Sequence, residues 1–203
     1  MGIGLAVGFQ LSHGIAALAR ISEGSAHGRF QPFHLGHLEY VKAAKEECDY
    51  LWVGITKYDV SLGAMNPLGT RREQPANNPF TYYERVKMIT GALVEEGVAP
   101  SEFGFIPFPI ETPGHLPAFL PKTVPCFTTI CEEWNRQKIA VLEEAGYLVR
   151  VLWEKPKLIS AAEVRESLIA GDELWRSKVP RSVAVELEAM NASERLRSIA
   201  HQR

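Results

Sequence analysis

The stretch GRFQPFHLGH, residues 28 to 37, gathers an Arg, two His and two Gly around one Pro and two Phe. His34 and His37 stand three apart, a spacing that puts both rings on one face of a helix. At a helix start they lie beside backbone N–H groups with no partner inside the helix and beside the positive end of its dipole. Gly28 lets the backbone approach a ligand closely, Pro32 stiffens the turn, and Gly36 leaves room between the imidazoles. Such a set suits an anion. A triphosphate under attack at its α-phosphorus fits well, because charge builds on its oxygens in the transition state. Taken alone, an H-x-G-H also fits two ordinary capping or packing histidines. Zinc ligation would need a third His, Cys or Asp at ligand spacing, and none is there.

A second candidate lies far along the chain, in ISAAEVR, residues 159 to 165. Ser160 and Glu163 have the spacing of a reciprocal helix cap, which places Arg165 in the first turns of the helix. From there its guanidinium can take two phosphate oxygens side by side. The alternative is a solvated Arg paired with Glu166 or Asp172. Lys57, Arg71 and Arg72, in a loop rich in Gly and Pro over residues 57 to 79, either close over phosphates or are simply solvated. Trp134 and Asn135 are candidates for a pocket wall, although Val141 and Leu142 fall near the same helix face and put Trp134 in the core.

These side chains need elements to hold them. Strands are expected at 24–30, 51–56, 103–109, 124–129 and 147–153. Helices are expected from Gly36 to Cys48, from the Thr81/Glu84 cap onward, over 131–146 with Gly146 closing, over 159–171 with Gly171 closing, and as one C-terminal helix after Pro180. Strands alternating with helices predict an α/β fold, a Rossmann-like doubly wound parallel sheet. Ligands of such sheets bind beyond the carboxyl ends of the strands where the winding reverses, and the loop with both His follows the first strand.

The chain of 203 residues fits one domain, and 46 % hydrophobic with 23 % charged residues allow a sizeable core. A net charge of -2 offers no field for a nucleic acid backbone, so a small-molecule partner is expected. Three cysteines, an odd number, fit a reducing cytoplasm better than a disulfide framework. The apolar opening is interrupted by Gln10, Ser12 and His13 before it is long enough to cross a membrane, and no membrane association is expected. Residues 1–23 are read as an N-terminal extension of unclear role, and 24–203 as the domain.

GRFQPFHLGH together with ISAAEVR resembles the nucleotidylyltransferase superfamily, in particular the archaeal-type nicotinamide mononucleotide adenylyltransferases. NPFTYYERVKMI, EEAGYLVRVL, GDELWRSKVPRSV and MNASERLRSIA match the family's pattern in order, so the likeness runs from Gly28 to the C-terminus. It implies that His34 and His37 meet the α-phosphate, that Arg165 is the arginine of the ISGTEVR-type motif, and that Arg29 and Arg136 bind phosphates. By the same likeness Gly28, Phe30, Gly36 and Ser160 border the nucleotide. Mg²⁺ would accompany the triphosphate, held mostly by phosphate oxygens and water. A homo-oligomer is allowed.

The departures lie on the acceptor side. SAAE stands for SGTE, ETPGHLPAFLP lacks the aromatic expected near a nicotinamide ring, and FTTICEEWN replaces an SGNP-style turn. The expected reaction is transfer of a nucleoside monophosphate from a triphosphate to a phosphate or phosphonate acceptor, with pyrophosphate released. ATP with nicotinamide mononucleotide is the default pair. CTP with a small phosphonate or alcohol phosphate is the alternative, followed by a nucleotide-binding sensor without turnover. A fragment of an aminoacyl-tRNA synthetase, which also carries an H-x-G-H-like motif, is disfavoured because the chain has no basic face.

Overall fold

A computed structural model describes residues 20–59 and 74–201. Arg71, Arg72 and most of the N-terminal extension lie outside the described residues. Strands β1 (Ile21–Gly28), β2 (Cys48–Ile55), β3 (Phe103–Pro107), β4 (Cys126–Ile130) and β5 (Val149–Glu154) pair in parallel in the order β3-β2-β1-β4-β5. The helices are α1 (Leu35–Glu46), α2 (Tyr82–Glu95), α3 (Glu133–Glu144), α4 (Ala161–Ala170), α5 (Arg181–Ala189) and α6 (Ala192–His201). The expected α/β doubly wound sheet is therefore present. Its winding reverses between β1 and β4, where Ser25 faces Cys126 and Ala26 faces Phe127.

Both faces of the sheet are covered, as all-parallel sheets require. On one face Phe30, Phe33, Val41, Phe80, Met88 and Val164 belong to a large core with none of their surface exposed. On the other, Phe108, Leu116, Cys126 and Leu142 form a smaller one. The smaller core is closed between β3 and β4 by a Pro-rich 3₁₀ turn, Pro113–Ala118, instead of an α-helix.

Several boundaries move for local reasons. β1 ends at Gly28, two residues short of the expected end, because Phe30 turns into the left-handed region at φ 52°. α1 ends at Glu46, since Cys48 already pairs with Ile21 in the sheet. The single C-terminal helix is two, broken where Asn191 adopts φ 51°. Both expected glycine stops hold, with Gly146 at φ 86° and Gly171 at φ 75°.

Trp134 is not in the core. It is 38 % exposed, while Leu142 is fully buried. Eight residues at 100° each leave Leu142 about 80° around the helix from Trp134, enough to turn the indole outward. Asn135 is not a pocket wall either, because its Oδ1 accepts the backbone N–H groups of Cys131 and Glu132 and starts α3.

Candidate active site

Gly28 closes β1, and the next six residues, 29 to 34, carry the chain to the start of α1. A Cβ on Gly28 would meet the Phe30 ring at 2.7 Å, so packing favours glycine there. Phe30 turns its ring into the core, edge-on to His37 at 5.0 Å, so it props the imidazole. Gln31 fixes the loop: its amide donates to the Phe80 carbonyl at 2.8 Å and accepts the Phe80 N–H at 2.9 Å.

His34 is the N-cap of α1, its Nδ1 accepting the His37 N–H at 3.3 Å. The capping reading and the site reading thus describe the same residue. With Nδ1 occupied as an acceptor, the proton of neutral His34 resides on Nε2, which is buried without a partner. The His37 ring stacks on His34, with centroids 3.6 Å apart. It bonds the Pro32 carbonyl, which leaves its Nδ1 buried and unpartnered. A Cβ on Gly36 would come within 3.3 Å of the His34 ring, so this glycine makes room for the stack. Buried imidazole nitrogens normally find partners; of the two orphans side by side at this helix start, the His34 Nε2–H is a donor suited to an oxygen atom.

Burial, reinforced by the charge of Lys157, pulls His34 down to about 3, and burial likewise holds His37 well below the ordinary imidazole range. Both rings are therefore neutral at neutral pH before a ligand arrives. His34 still offers an Nε2–H donor. Phosphate charge would have to raise the pKa of His37 before its Nδ1 could donate too.

Arg165 is buried and reaches back across the chain. Its Nη1 donates to the Gln31 carbonyl at 2.6 Å and its Nη2 to Asn77 Oδ1 at 2.8 Å. It pairs with neither Glu166 nor Asp172; Asp172 instead caps the following turn through Ser167 and the Leu174 N–H. Ser160 caps α4, accepting the Glu163 N–H at 3.2 Å, so the cap survives the loss of the usual Gly and Thr. The carbonyl of Ile159 lies 4.0 Å from the Cβ position of Gly36, which brings the first turns of α1 and α4 together.

Positive charge collects at this junction. Arg29 acts electrostatically on His37, Arg85 and Arg165, and Lys157 on both imidazoles. Arg85 is fully buried and binds only backbone carbonyls among its hydrogen bonds: those of Thr81, Arg29, Thr56 and Lys57. Burial lowers it to about 10, so it stays cationic beneath the loops that end β1 and β2. Arg136 is elsewhere, exposed on α3 and paired with Glu133 and Glu154. It meets a phosphate only by leaving those carboxylates. Lys57 is tied to Glu111 at 3.3 Å.

Arg85, Lys157 and Asn77 were not foreseen from the residues. Arg85 lies in NPFTYYERVKMI, where a cation on the inward face of an amphipathic helix is the signal. Lys157 and Asn77 carry no spacing that distinguishes them. A cleft lined by Pro113, Lys122, Val141 and Glu144 contains none of these residues.

The family model for cytidylyltransferase-like proteins matches residues 25–167, which span β1 through most of α4. The chain belongs to this family. It is 37 % identical over 176 residues to phosphonoformate cytidylyltransferase of Streptomyces viridochromogenes, an alignment covering 86 % of this chain and 95 % of the relative. It is 34 % identical to nicotinamide-nucleotide adenylyltransferase of Pyrobaculum neutrophilum, covering 85 % of this chain and 91 % of the relative. Both relatives are nucleotidyltransferases, and this member of the family is a nucleotidyltransferase too. A bifunctional NMN adenylyltransferase/ADP ribose pyrophosphatase of Francisella tularensis, solved with AMP and a manganese ion, superposes with a TM-score of 0.62 at 15 % identity. The match covers 88 % of this chain but only 52 % of that protein, about half its length, and carries the fold alone. Among the described residues no helix is long and apolar enough to cross a membrane.

Proposed function

We propose that the protein is a cytidylyltransferase that couples CTP to a small phosphonate. A phosphonate oxygen attacks the α-phosphorus in line; the bond to the bridging oxygen breaks, and pyrophosphate leaves with its electron pair. His34 Nε2–H donates to an α-phosphate oxygen as charge builds there, and His37 joins once phosphate has raised its pKa. Arg165, together with Arg29 and the first turns of α1 and α4, receives the β- and γ-phosphates. No covalent link to the protein is needed, so rate comes from positioning and charge, as in other phosphoryl transfers.

The observation that carries the transfer chemistry is the pair of orphaned imidazole nitrogens, His34 Nε2 and His37 Nδ1, buried at the start of α1. The choice of CTP and a phosphonate rests on the 37 % identity to a phosphonoformate cytidylyltransferase over nearly its whole length and on the altered acceptor segments. Mg²⁺ fits this site as a passenger of the triphosphate: among the described residues no group of three or more His, Cys, Asp or Glu could hold a metal. When bound, the ion neutralises charge on the departing pyrophosphate. Three free cysteines suit the reducing cytoplasm in which such an enzyme would work.

Adenylyl transfer to nicotinamide mononucleotide is the second reading, favoured by the relatives that bear that name. Pyrophosphate release from four triphosphates, each offered phosphonoformate or nicotinamide mononucleotide, separates the two. CTP with phosphonoformate is expected to be fastest. Turnover confined to ATP with the mononucleotide would replace the first reading by the second, and nucleotide binding without any turnover would leave a sensor.

A further inference from the structure

His27, the residue before Gly28, has no part in the transfer chemistry proposed for His34 and His37. It is 2 % exposed, and neither ring nitrogen has a hydrogen-bond partner. Its ring stacks flat on Phe108, with centroids 4.1 Å apart and planes within 3°. Stacking alone gives no reason for an imidazole where a phenyl ring would stack as well without two buried nitrogens to satisfy.

Its surroundings repeat the pattern. Residues two apart on a strand share a face, so Ser25 and His27 on β1 look the same way as Cys126 and Thr128 on β4, and Ser25 Oγ touches Cys126 Sγ at 3.4 Å. Thr128 is fully buried with its Oγ1 unpartnered. It is the last position before the β4–β5 register slips, at the edge where ligands of such sheets bind. Over this face lies α3, whose half-buried Lys138 holds its ammonium 5.7 Å from the centroid of the Trp134 ring; its charge acts on His27, and burial draws its own pKa down to about 8. A neutral imidazole and a hydroxyl thus lie side by side next to the winding reversal, on the opposite face of the sheet from the core around Phe30, with an ammonium group acting on the imidazole from α3.

We propose that His27, Thr128 and Lys138 bind the carboxylate of the acceptor, which makes the acceptor a small acid carrying a carboxyl group next to its nucleophilic phosphonate. The assignment rests on the nucleotidyl-transfer reading for the phosphonate end, while the three donors define the other end. A carboxylate supplies acceptors for the His27 N–H, the Thr128 O–H and the Lys138 ammonium at once. Phe108, flat against His27, closes one side, and a Gly54 Cβ would strike that ring at 2.4 Å, so glycine on β2 is what admits the wall.

The test compares phosphonoformate with methylphosphonate, which lacks the carboxyl group, using CTP and pyrophosphate release. Wild type is expected to prefer phosphonoformate in kcat/KM by about 30-fold or more, because a site with buried donors rejects a ligand that leaves them unpaired. His27→Val, Thr128→Val and Lys138→Met are each expected to reduce that preference at least about 5-fold, while CTP affinity by calorimetry is unchanged and Lys138→Arg restores part of it. Thr128→Val is isosteric, which guards against a variant that simply fails to fold. An unchanged preference in all three variants overturns the proposal and leaves cytidylyl transfer standing. If wild type turns over neither acceptor, calorimetric binding of phosphonoformate alone decides: binding lost in Lys138→Met sustains the acid pocket while the transfer reading falls, and no binding to wild type ends the proposal.

Discussion

His34 does two jobs with one ring: Nδ1 caps α1, and Nε2 points an N–H at no protein atom. The jobs can be separated. An Asn at this position keeps a cap but places no donor where Nε2 is, so His34→Asn is expected to unfold within about 0.5 kcal/mol of wild type and to lose about 100-fold or more in kcat. His34→Ala is expected to lose the cap as well, about 1 kcal/mol in chemical denaturation. Equal stability of the two variants would refute the capping assignment. Arg165 bridges Gln31 and Asn77 with two nitrogens held in one plane. Lysine keeps the charge but not the fork, so Arg165→Lys should cost about 2 kcal/mol of stability and raise KM for the triphosphate, seen by urea titration and initial rates. The H-x-G-H spacing made the His pair legible in the sequence. His27 was not, because an isolated buried imidazole on a strand leaves no period or spacing to read.

At the level of elements, caps were the clearest text in the chain. The Thr81/Glu84 and Ser160/Glu163 boxes form as their spacing demands. The start of α3 was harder because Asn135 reaches back to two N–H groups without a Ser or Thr at the cap. The break between α5 and α6 was missed because Asn191 in a run of good helix formers gives only a weak sign of positive φ. The backbone there favours glycine, so Asn191→Gly is expected to hold or gain up to about 1 kcal/mol, whereas Asn191→Val is expected to lose about 1 to 2 kcal/mol in thermal unfolding. A stabilising Asn191→Val would contradict the left-handed assignment. Arg85 illustrates the limit of pattern reading. Its helix was plain, but that the guanidinium would reach three carbonyls at the ends of β1 and β2 depends on how α2 lies against the sheet.

At the scale of the whole molecule, the described residues include three imidazoles near the strand ends, His27, His34 and His37, all with pKa lowered first by burial. Unfolded histidine takes up a proton near pH 6.5, while the folded protein resists until far lower, about 3 for His34. The unfolded state therefore binds protons first, and stability present at neutral pH is lost as pH falls below about 6.5, by about 1.4 kcal/mol per pH unit for each imidazole. Urea midpoints from pH 7 to pH 4 are expected to fall steeply, and His27→Val to flatten the slope by about a third. A slope unchanged by that substitution would place His27 in contact with water or an acid. Bound triphosphate opposes the same loss, because phosphate oxygens favour the protonated rings. The parallel sheet and its winding reversal followed from alternation of strands and helices. That a second polar cluster would form on the opposite face did not, because it depends on the β1–β4 register and on Lys138 lying across it.

On the proposed reading the His34 Nε2–H stabilises charge at the α-phosphorus while that atom changes partners. Single-turnover chemical quench with CTP radiolabelled at the α-phosphorus tests it directly, with phosphonoformate as acceptor. In wild type the label is expected to pass into the phosphonate adduct as unlabelled pyrophosphate appears, and in His34→Asn to remain in CTP for at least about 100-fold longer at saturating substrate. Label transfer at the wild-type rate in His34→Asn, or label released in pyrophosphate, would contradict the account.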